Sequence, residues 1–168
     1  VGRSSGAFTD GLDEPCDVAA ACGFVRGLGE VDPSKLAVAG WSFGAWMALL
    51  ALGEGLEAAC CVAVSPPLAL YDWRSAAPAI AASTVERHYI AGADDRLCPL
   101  ESLRAFTGAA GERDSANTMV LPSTDHFLAG REEMVSELTV EFAEASSRTS
   151  GAARDGDGGT GEDGLTAS

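Results

Sequence analysis

The sequence predicts an α/β fold in which a parallel sheet carries helices on both faces. Short apolar runs bounded by turn residues alternate along the chain with segments of helical pattern, and this alternation is typical of successive βαβ units. Hydrophobic residues make up 46% of the 168 positions, which suffices for one buried core. The crossovers between strands are expected to be right-handed.

The first half of the chain is predicted to run helix, strand, helix, strand. After a loop at residues 1–11, Asp13, Glu14 and Pro15 mark the start of a helix that we expect to reach about Leu28. The elements predicted after it are a buried strand at 35–40, a helix from Phe43 or Gly44 to about Leu52, and a second buried strand at 59–65.

The second half repeats the pattern after an ambiguous stretch. Residues 68–83 are compatible with loop and one short helix. The elements predicted beyond them are a strand at 87–92, a helix at 101–110, a strand at 118–121 and an amphipathic helix at 130–145.

Composition changes after the last predicted helix. Ser, Thr, Gly and Asp dominate from Ser146 onward, and Leu165 is the one large apolar residue there. Such a segment buries too little surface to offset its ordering entropy. We therefore predict one domain at residues 1–145 and a disordered, acidic and Gly-rich tail at residues 146–168.

Charge and cysteine content exclude several classes of function. The net charge of −14 opposes binding to nucleic acid or to an anionic membrane, and no run approaches the ~20 apolar residues of a membrane span. Five cysteines, an odd number without a C-x-x-C pair, argue against a disulfide framework or a zinc site. We expect a cytoplasmic protein without metal or cofactor.

The sharpest motif is the pentapeptide Gly40-Trp41-Ser42-Phe43-Gly44, a G-x-S-x-G sequence between a predicted strand and a predicted helix. A tight turn there would force Ser42 into strained dihedral angles and raise its hydroxyl above the sheet. Gly40 and Gly44 are both expected to be required, because side chains would collide with neighbouring backbone. The N–H of Phe43, at a helix N-terminus, would face a developing oxyanion.

A serine hydroxyl needs a base, and the chain offers two histidines. His88 lies inside a predicted strand and is interpreted as a packed or edge residue. His126 follows the last predicted strand, in a loop at the carboxyl end of the sheet, where the sites of parallel sheets gather. We therefore predict that His126 is the base.

Four aspartates are candidates for the acid that orients the imidazole. Asp94 and Asp95 follow the third predicted strand. Asp125 adjoins His126 in sequence, so its side chain would fold back onto the ring with difficulty, and Asp72 is the weaker outsider. Asp95 gives the chain order Ser, Asp, His that a G-x-S-x-G hydrolase requires.

Several stretches together resemble the small, capless α/β-hydrolases and the esterases similar to dienelactone hydrolases and acyl-peptidases. They are VGRSSGAF, GWSFGAWMAL, AVSPP, AGADDRLCP and STDHFLAGR, and the resemblance extends to about Phe142. In that family an acid stands four residues before a Pro, so Pro99 selects Asp95. The family's D-H-F signature matches residues 125–127 and implies that His126 is the base.

The implied activity is that of a serine hydrolase that cleaves a carboxylic ester, thioester or amide through an acyl-Ser42 intermediate. The substrate is expected to be a small-molecule ester or acyl compound, and the enzyme carboxylesterase-like or, alternatively, peptidase-like. We expect aromatic and proline side chains to line the acyl pocket: Trp41, Pro66, Pro67, Tyr71 and Trp73. The competing interpretations are a noncatalytic binding module of the same fold and, more weakly, a hydrolase centred on Cys98.

One departure from the family concerns the beginning of the chain. Family members carry about four strands before the position of Val1, and a Gly-rich loop among them supplies a second oxyanion N–H. The sequence therefore resembles an N-terminally truncated piece. Loss of one oxyanion donor lowers turnover by ~10²–10³, so such a piece is expected to be impaired or inactive.

Overall fold

The computed structural model describes residues 6–111 and 117–155 and contains four strands and five helices there. The strands are β1 (Ala37–Trp41), β2 (Cys60–Val64), β3 (Glu86–Gly92) and β4 (Thr118–Leu121). The helices are α1 (Glu14–Arg26), α2 (Phe43–Gly53), α3 (Trp73–Ala82), α4 (Leu100–Ala109) and α5 (Glu132–Asp155). A 3-10 turn at Pro33–Lys35 precedes β1.

The four strands form one parallel sheet in the order β1-β2-β3-β4. Its register places Gly40 opposite Ala63, Ala63 opposite Tyr89, and Tyr89 opposite Thr118. Because all strands run in the same direction, the loops that follow them emerge at one edge of the sheet. Among the described strands only β2 pairs with β1, so β1 lies at one side of the sheet.

Helices cover both faces of the sheet, as predicted. On one face α1, α2, α3 and α4 enclose the larger core cluster, and on the other α5 packs its apolar residues on the smaller one. Adjacent Cys60 and Cys61 belong to opposite clusters and are both fully buried, because successive side chains of a strand point to opposite faces. The prediction that both are core residues is confirmed.

Helix α2 forms the centre of the larger core. Its sequence FGAWMALLALG is apolar almost throughout, and a helix that is hydrophobic on all sides is buried on all sides. It packs between the sheet and the neighbouring helices α1 and α3. The helix therefore holds the turn at its own N-terminus in a rigid position.

The stretch at 68–83, predicted as loop with one short helix, contains the helix α3, whose N-cap Asp72 accepts a hydrogen bond from the N–H of Arg74. Helix α5 continues to Asp155, so the domain boundary predicted at residue 146 falls inside a helix. Ser146 is buried and its Oγ lies 3.0 Å from His88 Nε2, so a polar residue of the supposed tail packs against the sheet. The remainder of that tail, residues 156–168, lies outside the described residues.

Within the described part of the chain, no helix combines the length and apolar character needed to cross a lipid bilayer.

Candidate active site

Ser42 occupies the turn between β1 and α2 in a strained conformation. Its φ is 54° and its ψ −118°, a region that costs about 1–3 kcal/mol for a residue other than Gly. Its N–H donates to the Val64 carbonyl (2.8 Å), which ties the turn to β2. A Cβ at Gly40 would lie 2.4 Å from the backbone of Gly44, whereas one at Gly44 would meet open space. Only Gly40 is thus sterically required, and the expectation for Gly44 was wrong.

The structure brings Ser42, His126 and Asp95 together in one line of hydrogen bonds. Ser42 Oγ lies 2.7 Å from His126 Nε2. The opposite ring nitrogen, Nδ1, lies 2.9 Å from Asp95 Oδ2 and 3.0 Å from Asp95 Oδ1. With Nδ1 protonated and facing the carboxylate, Nε2 is left to accept the serine proton.

Backbone N–H groups fix the Asp95 carboxylate in its loop. The N–H groups of Leu97 and Cys98 both donate to Asp95 Oδ1 at 2.8 Å, and the Asp95 side chain is fully buried. A buried carboxylate is stable when its oxygens are hydrogen-bonded in this way. The two donors hold the carboxylate against the His126 ring.

The other three candidate acids have different places. Asp94 is exposed, and its own N–H donates to the Thr124 carbonyl. Asp125 is also exposed and accepts from the N–H of Phe127. Asp72 caps α3.

The loop that carries His126 crosses directly over the end of β3. A Cβ at Gly92 would lie 2.2 Å from the Thr124 carbonyl oxygen, so the two backbones touch. Ser123 and Leu128 both have positive φ, 51° and 57°, and the Leu128 side chain is buried against the α5 face. These contacts fold the loop tightly enough to present the ring of His126 to Ser42.

His88 lies in the interior of the molecule, as predicted for a packed residue. Its ring stacks on Phe142 at a centroid distance of 4.4 Å, between β3 and α5. It is only 5% exposed.

A cleft of about 1060 Å³ opens beside His126. It is lined by the loop after β3 and by the residues that flank the base: Ala93, Asp94, Asp95, Arg96, Leu97, Pro99, Leu100, Asp125, His126 and Phe127. Charged groups of both signs therefore stand near the imidazole together with apolar surface. Sequence reasoning missed this cleft, because its shape depends on two loops that meet only in the folded chain.

Four of the side chains predicted to line the acyl pocket lie away from the cleft beside His126. Pro66, Pro67 and Trp73 are buried in the core, and Trp73 packs edge-on against Phe106. Tyr71 stacks on Trp46. None of these residues lines the cleft beside His126.

Trp41, the fifth residue of that set, lies on the other side of the base. It lines a smaller groove of about 350 Å³ between β1 and α5. Its indole Nε1–H donates to the carbonyl oxygen of His126 at 3.2 Å. The side chain remains 49% exposed.

An aromatic wall stands beside the backbone of Phe43, whose N–H is the predicted oxyanion donor. The ring of Phe8, 70% exposed, lies 5.4 Å from that of Phe43, and Tyr71 follows at 6.2 Å. The role of Phe8 was not predictable from the sequence, because a lone aromatic in a Gly- and Ser-rich loop carries no periodic signal.

Glu14 holds the loop that follows Phe8. Its carboxylate accepts the N–H of Thr9 (2.7 Å), the hydroxyl of Thr9 (2.8 Å) and the N–H of Gly11 (2.8 Å). These bonds, foremost that from the Thr9 N–H, lower the pKa of Glu14 to about 2. The first acidic residue of α1 thus anchors the loop beside the site.

Cys98 does not suit the role of a nucleophile. It is fully buried, and burial, followed by the nearby charge of Asp95, raises the pKa of its thiol. The reactive form of cysteine is the thiolate, which this environment disfavours. The geometry opposes the interpretation centred on Cys98.

Residues 3–89, just over half of the sequence, match the prolyl oligopeptidase family. The chain belongs to the prolyl oligopeptidase family. No curated protein sequence matches it. The α/β-hydrolase fold predicted from the sequence is confirmed for this prolyl oligopeptidase-family chain by its likeness to solved structures.

Three solved structures illustrate that likeness. A serine hydrolase homologue from Coxiella burnetii is 23% identical with a TM-score of 0.63, over 89% of this chain and 64% of its own. The esterase Pf2001 from Pyrococcus furiosus is 21% identical with a TM-score of 0.66, over 88% and 66%. Dipeptidyl peptidase 4 from Porphyromonas gingivalis is 19% identical with a TM-score of 0.64, over 80% and 23%. The family chain thus spans less than two thirds of the Coxiella protein's length.

Proposed function

We propose that this chain is the nucleophile-bearing part of a serine hydrolase that forms an acyl-Ser42 intermediate. The observation that carries the proposal is the line of hydrogen bonds from Ser42 Oγ through both ring nitrogens of His126 to Asp95. A hydroxyl is a weak nucleophile, and a base within 2.6–3.2 Å activates it. The hydroxyl–imidazole distance of 2.7 Å lies within that reach.

Acylation begins when His126 Nε2 accepts the Ser42 proton while Oγ attacks the carbonyl carbon of the substrate. Asp95 stabilises the resulting imidazolium through Nδ1–H. The negative charge on the former carbonyl oxygen faces the N–H of Phe43, one of the first N–H groups of α2 that have no acceptor within the helix. The tetrahedral species collapses as His126 gives its proton to the leaving group. Water then repeats these steps and releases the acid.

The cleft beside His126 is the proposed site of the leaving group. His126 delivers the proton from Nε2, so the departing alcohol, thiol or amine is expected next to His126, whose side chain lines this cleft. The cleft of about 1060 Å³ accommodates a leaving group larger than methanol or ammonia. The wall of Phe8, Phe43 and Tyr71 is the proposed apolar surface for the acyl part.

The proposed substrates are small esters, thioesters or amides. The solved structures of similar fold include an esterase and a dipeptidyl peptidase. The hydrogen-bonded Ser42, His126 and Asp95 suit the cleavage of either an ester or an amide. The net charge of −14 disfavours polyanions as substrates or partners. We also propose a reducing compartment such as the cytoplasm, consistent with five free cysteines.

A fluorophosphonate probe tests the nucleophile directly. The wild-type chain is expected to become labelled at Ser42, and Ser42→Ala is expected to abolish labelling. Ser136→Ala removes an exposed serine of α5 and serves as the matched control that retains labelling. A folded wild-type chain that resists the probe would contradict the proposal.

Paired substrates decide between the bond classes. p-Nitrophenyl esters and p-nitroanilides that share one acyl group differ only in the leaving atom. Turnover of the ester alone indicates an esterase, whereas turnover of both indicates peptidase-like chemistry. A failure to turn over either, by a chain that the probe labels, would point to acylation without hydrolysis and contradict the deacylation step.

A further inference from the structure

Trp41 joins the turn of the nucleophile to the loop of the base. It immediately precedes Ser42, and its backbone lies opposite Val64 in the sheet. Its indole Nε1–H donates to the carbonyl oxygen of His126, 85 positions further along the chain, at 3.2 Å. A residue fixed by β-sheet pairing thus contacts the backbone of the very residue that must reach Ser42 Oγ.

Several other anchors of the His126 loop come from the β3 side. The N–H of Asp94 donates to the Thr124 carbonyl (2.9 Å), the N–H of Ala93 donates to the Leu121 carbonyl (2.9 Å), and Gly92 touches Thr124. These contacts fix the loop relative to β3 and hence relative to Asp95. The distance to Ser42 needs a contact from the β1 side, and the indole of Trp41 supplies one.

The surroundings of the indole argue against a purely packing role. Trp41 is 49% exposed, so it contributes less to the core than a buried tryptophan such as Trp46. Its ring lies 6.1 Å from the His126 ring, and the Phe127 ring stands nearly perpendicular to the imidazole at 5.9 Å. The base is therefore flanked by two exposed aromatic side chains, of which Trp41 also holds the backbone.

We propose that Trp41 is a positioning residue whose indole N–H keeps His126 Nε2 within bonding reach of Ser42 Oγ. The inference rests on the proposed function, because it concerns the same base. It replaces the expectation that Trp41 lines an acyl pocket. Since displacement of a reacting group by about 1 Å costs up to about 100-fold in rate, loss of one anchor is expected to lower kcat by about tenfold.

The test compares Trp41→Phe with Trp73→Phe. Trp41→Phe keeps an aromatic ring in the groove while it removes the indole N–H donor and some ring volume. Trp73→Phe makes the same chemical change in the core, away from His126. We expect the turnover of a p-nitrophenyl ester to fall about tenfold in kcat with KM unchanged for Trp41→Phe, since alignment acts on the transition state. Trp73→Phe is expected to keep the wild-type kcat at temperatures where it is folded.

Nitrogen NMR of the imidazole rings gives a measurement that does not depend on activity. The chain has two histidines, and His88→Gln assigns their signals. In the wild type we expect His126 to be protonated on Nδ1, with that proton protected from exchange by Asp95. In Trp41→Phe we expect the Nε2 resonance, which reports the contact with Ser42 Oγ, to shift while the Nδ1–H signal held by Asp95 persists, whereas Trp73→Phe leaves both unchanged.

The outcomes separate the two proposals. Wild-type kcat and an unchanged His126 Nε2 resonance in Trp41→Phe would overturn the positioning role. Equal losses in both tryptophan variants would also overturn it, because they would reflect general destabilisation. An unlabelled wild-type chain would defeat the proposed function, while the NMR comparison would still decide whether the indole holds His126.

Discussion

The two histidines of this chain have similar neighbours and different geometries. Both are buried, and each lies near a serine hydroxyl and a carboxylate. His126 Nε2 lies 2.7 Å from Ser42 Oγ, and Nδ1 lies 2.9 Å from Asp95. His88 Nε2 lies 3.0 Å from Ser146 Oγ and 3.5 Å from Glu86.

The difference lies in how the ring nitrogens are used. The serine and the acid contact opposite nitrogens of His126, so a proton taken at Nε2 is balanced by a carboxylate at Nδ1. At His88 both groups approach the same nitrogen. Ser146 lies in α5 with its hydroxyl buried against His88 of β3, whereas Ser42 stands on a strained turn beside His126, which lines the open cleft. A serine, a histidine and an acid that lie close together therefore do not by themselves form a proton relay. The serine and the acid must contact opposite ring nitrogens, and a substrate must be able to reach the serine.

The largest expected difference in kcat between the two histidine sites comes from replacing each histidine by glutamine. His126→Gln removes the base and is expected to lower kcat by about 10⁴-fold or more. His88→Gln keeps a polar group near Ser146 and is expected to leave kcat unchanged while lowering Tm, because it loses the stack on Phe142. Ester turnover and circular dichroism measure both. A folded His88→Gln chain without activity would break the comparison.

The next largest difference in kcat is expected between substitutions of the two acids, Asp95 beside His126 and Glu86 beside His88. Asp95→Asn keeps the shape of the side chain but removes the charge that stabilises the imidazolium, and a loss of about 10³–10⁴-fold in kcat is expected. Glu86→Gln makes the same kind of change beside His88 and is expected to leave turnover intact. Equal turnover of Asp95→Asn and the wild type would show that Asp95 merely orders its loop.

Substitutions at the two ends of the sheet are expected to change the free energy of unfolding in opposite directions. Ser65 follows β2 with a φ of 47°, and its buried hydroxyl has no hydrogen-bond partner among the described residues. Ser65→Gly relieves both costs and is expected to raise the free energy of unfolding by about 1 kcal/mol. Ser146→Ala removes a bonded hydroxyl beside His88 and is expected to lower it by about 1 kcal/mol. Urea denaturation measures both, and a destabilised Ser65→Gly chain would contradict the strain argument.

Alkylation of the exposed thiol is expected to have the smallest effect on turnover. Burial raises the pKa of Cys98 near the carboxyl end of the sheet and of Cys60 beneath α5, so both should resist iodoacetamide in the native chain. Exposed Cys16 should react without change in turnover. Mass spectrometry of native and denatured samples locates the adducts. Native labelling of Cys98 would show that its loop opens.

Much of the fold followed from local sequence. The turn around Ser42 was predictable because KLAVAG, the G-x-S-x-G motif and AWMALLAL specify strand, turn and helix within a short segment. The bounds of α3 were not, because Pro78 lies inside the helix and a proline inside a segment argues against a helix there. The full length of α5 was missed because Ser146 begins a stretch rich in Ser, Gly and Asp, and its contact with His88 forms only in the folded chain.

The site was predictable where residue type and chain order limit the choices. Ser42 and His126 stood out as a motif and as one of two histidines, and the resemblance through Pro99 selected Asp95. Contacts across the fold gave no such signal. The bond from Trp41 to the His126 carbonyl and the packing of Phe8 on Phe43 both join segments that the sequence alone does not place side by side.

The bond between Ser42 and His126 joins positions 84 apart, and that between His126 and Asp95 joins positions 31 apart. Neither forms within a single local segment, so hydroxyl and imidazole meet only after the four strands β1 to β4 have assembled. Recovery of turnover after dilution from denaturant should therefore lag behind recovery of helical signal. Ester turnover would then report that the sheet has fully assembled, whereas the helical circular dichroism signal would not.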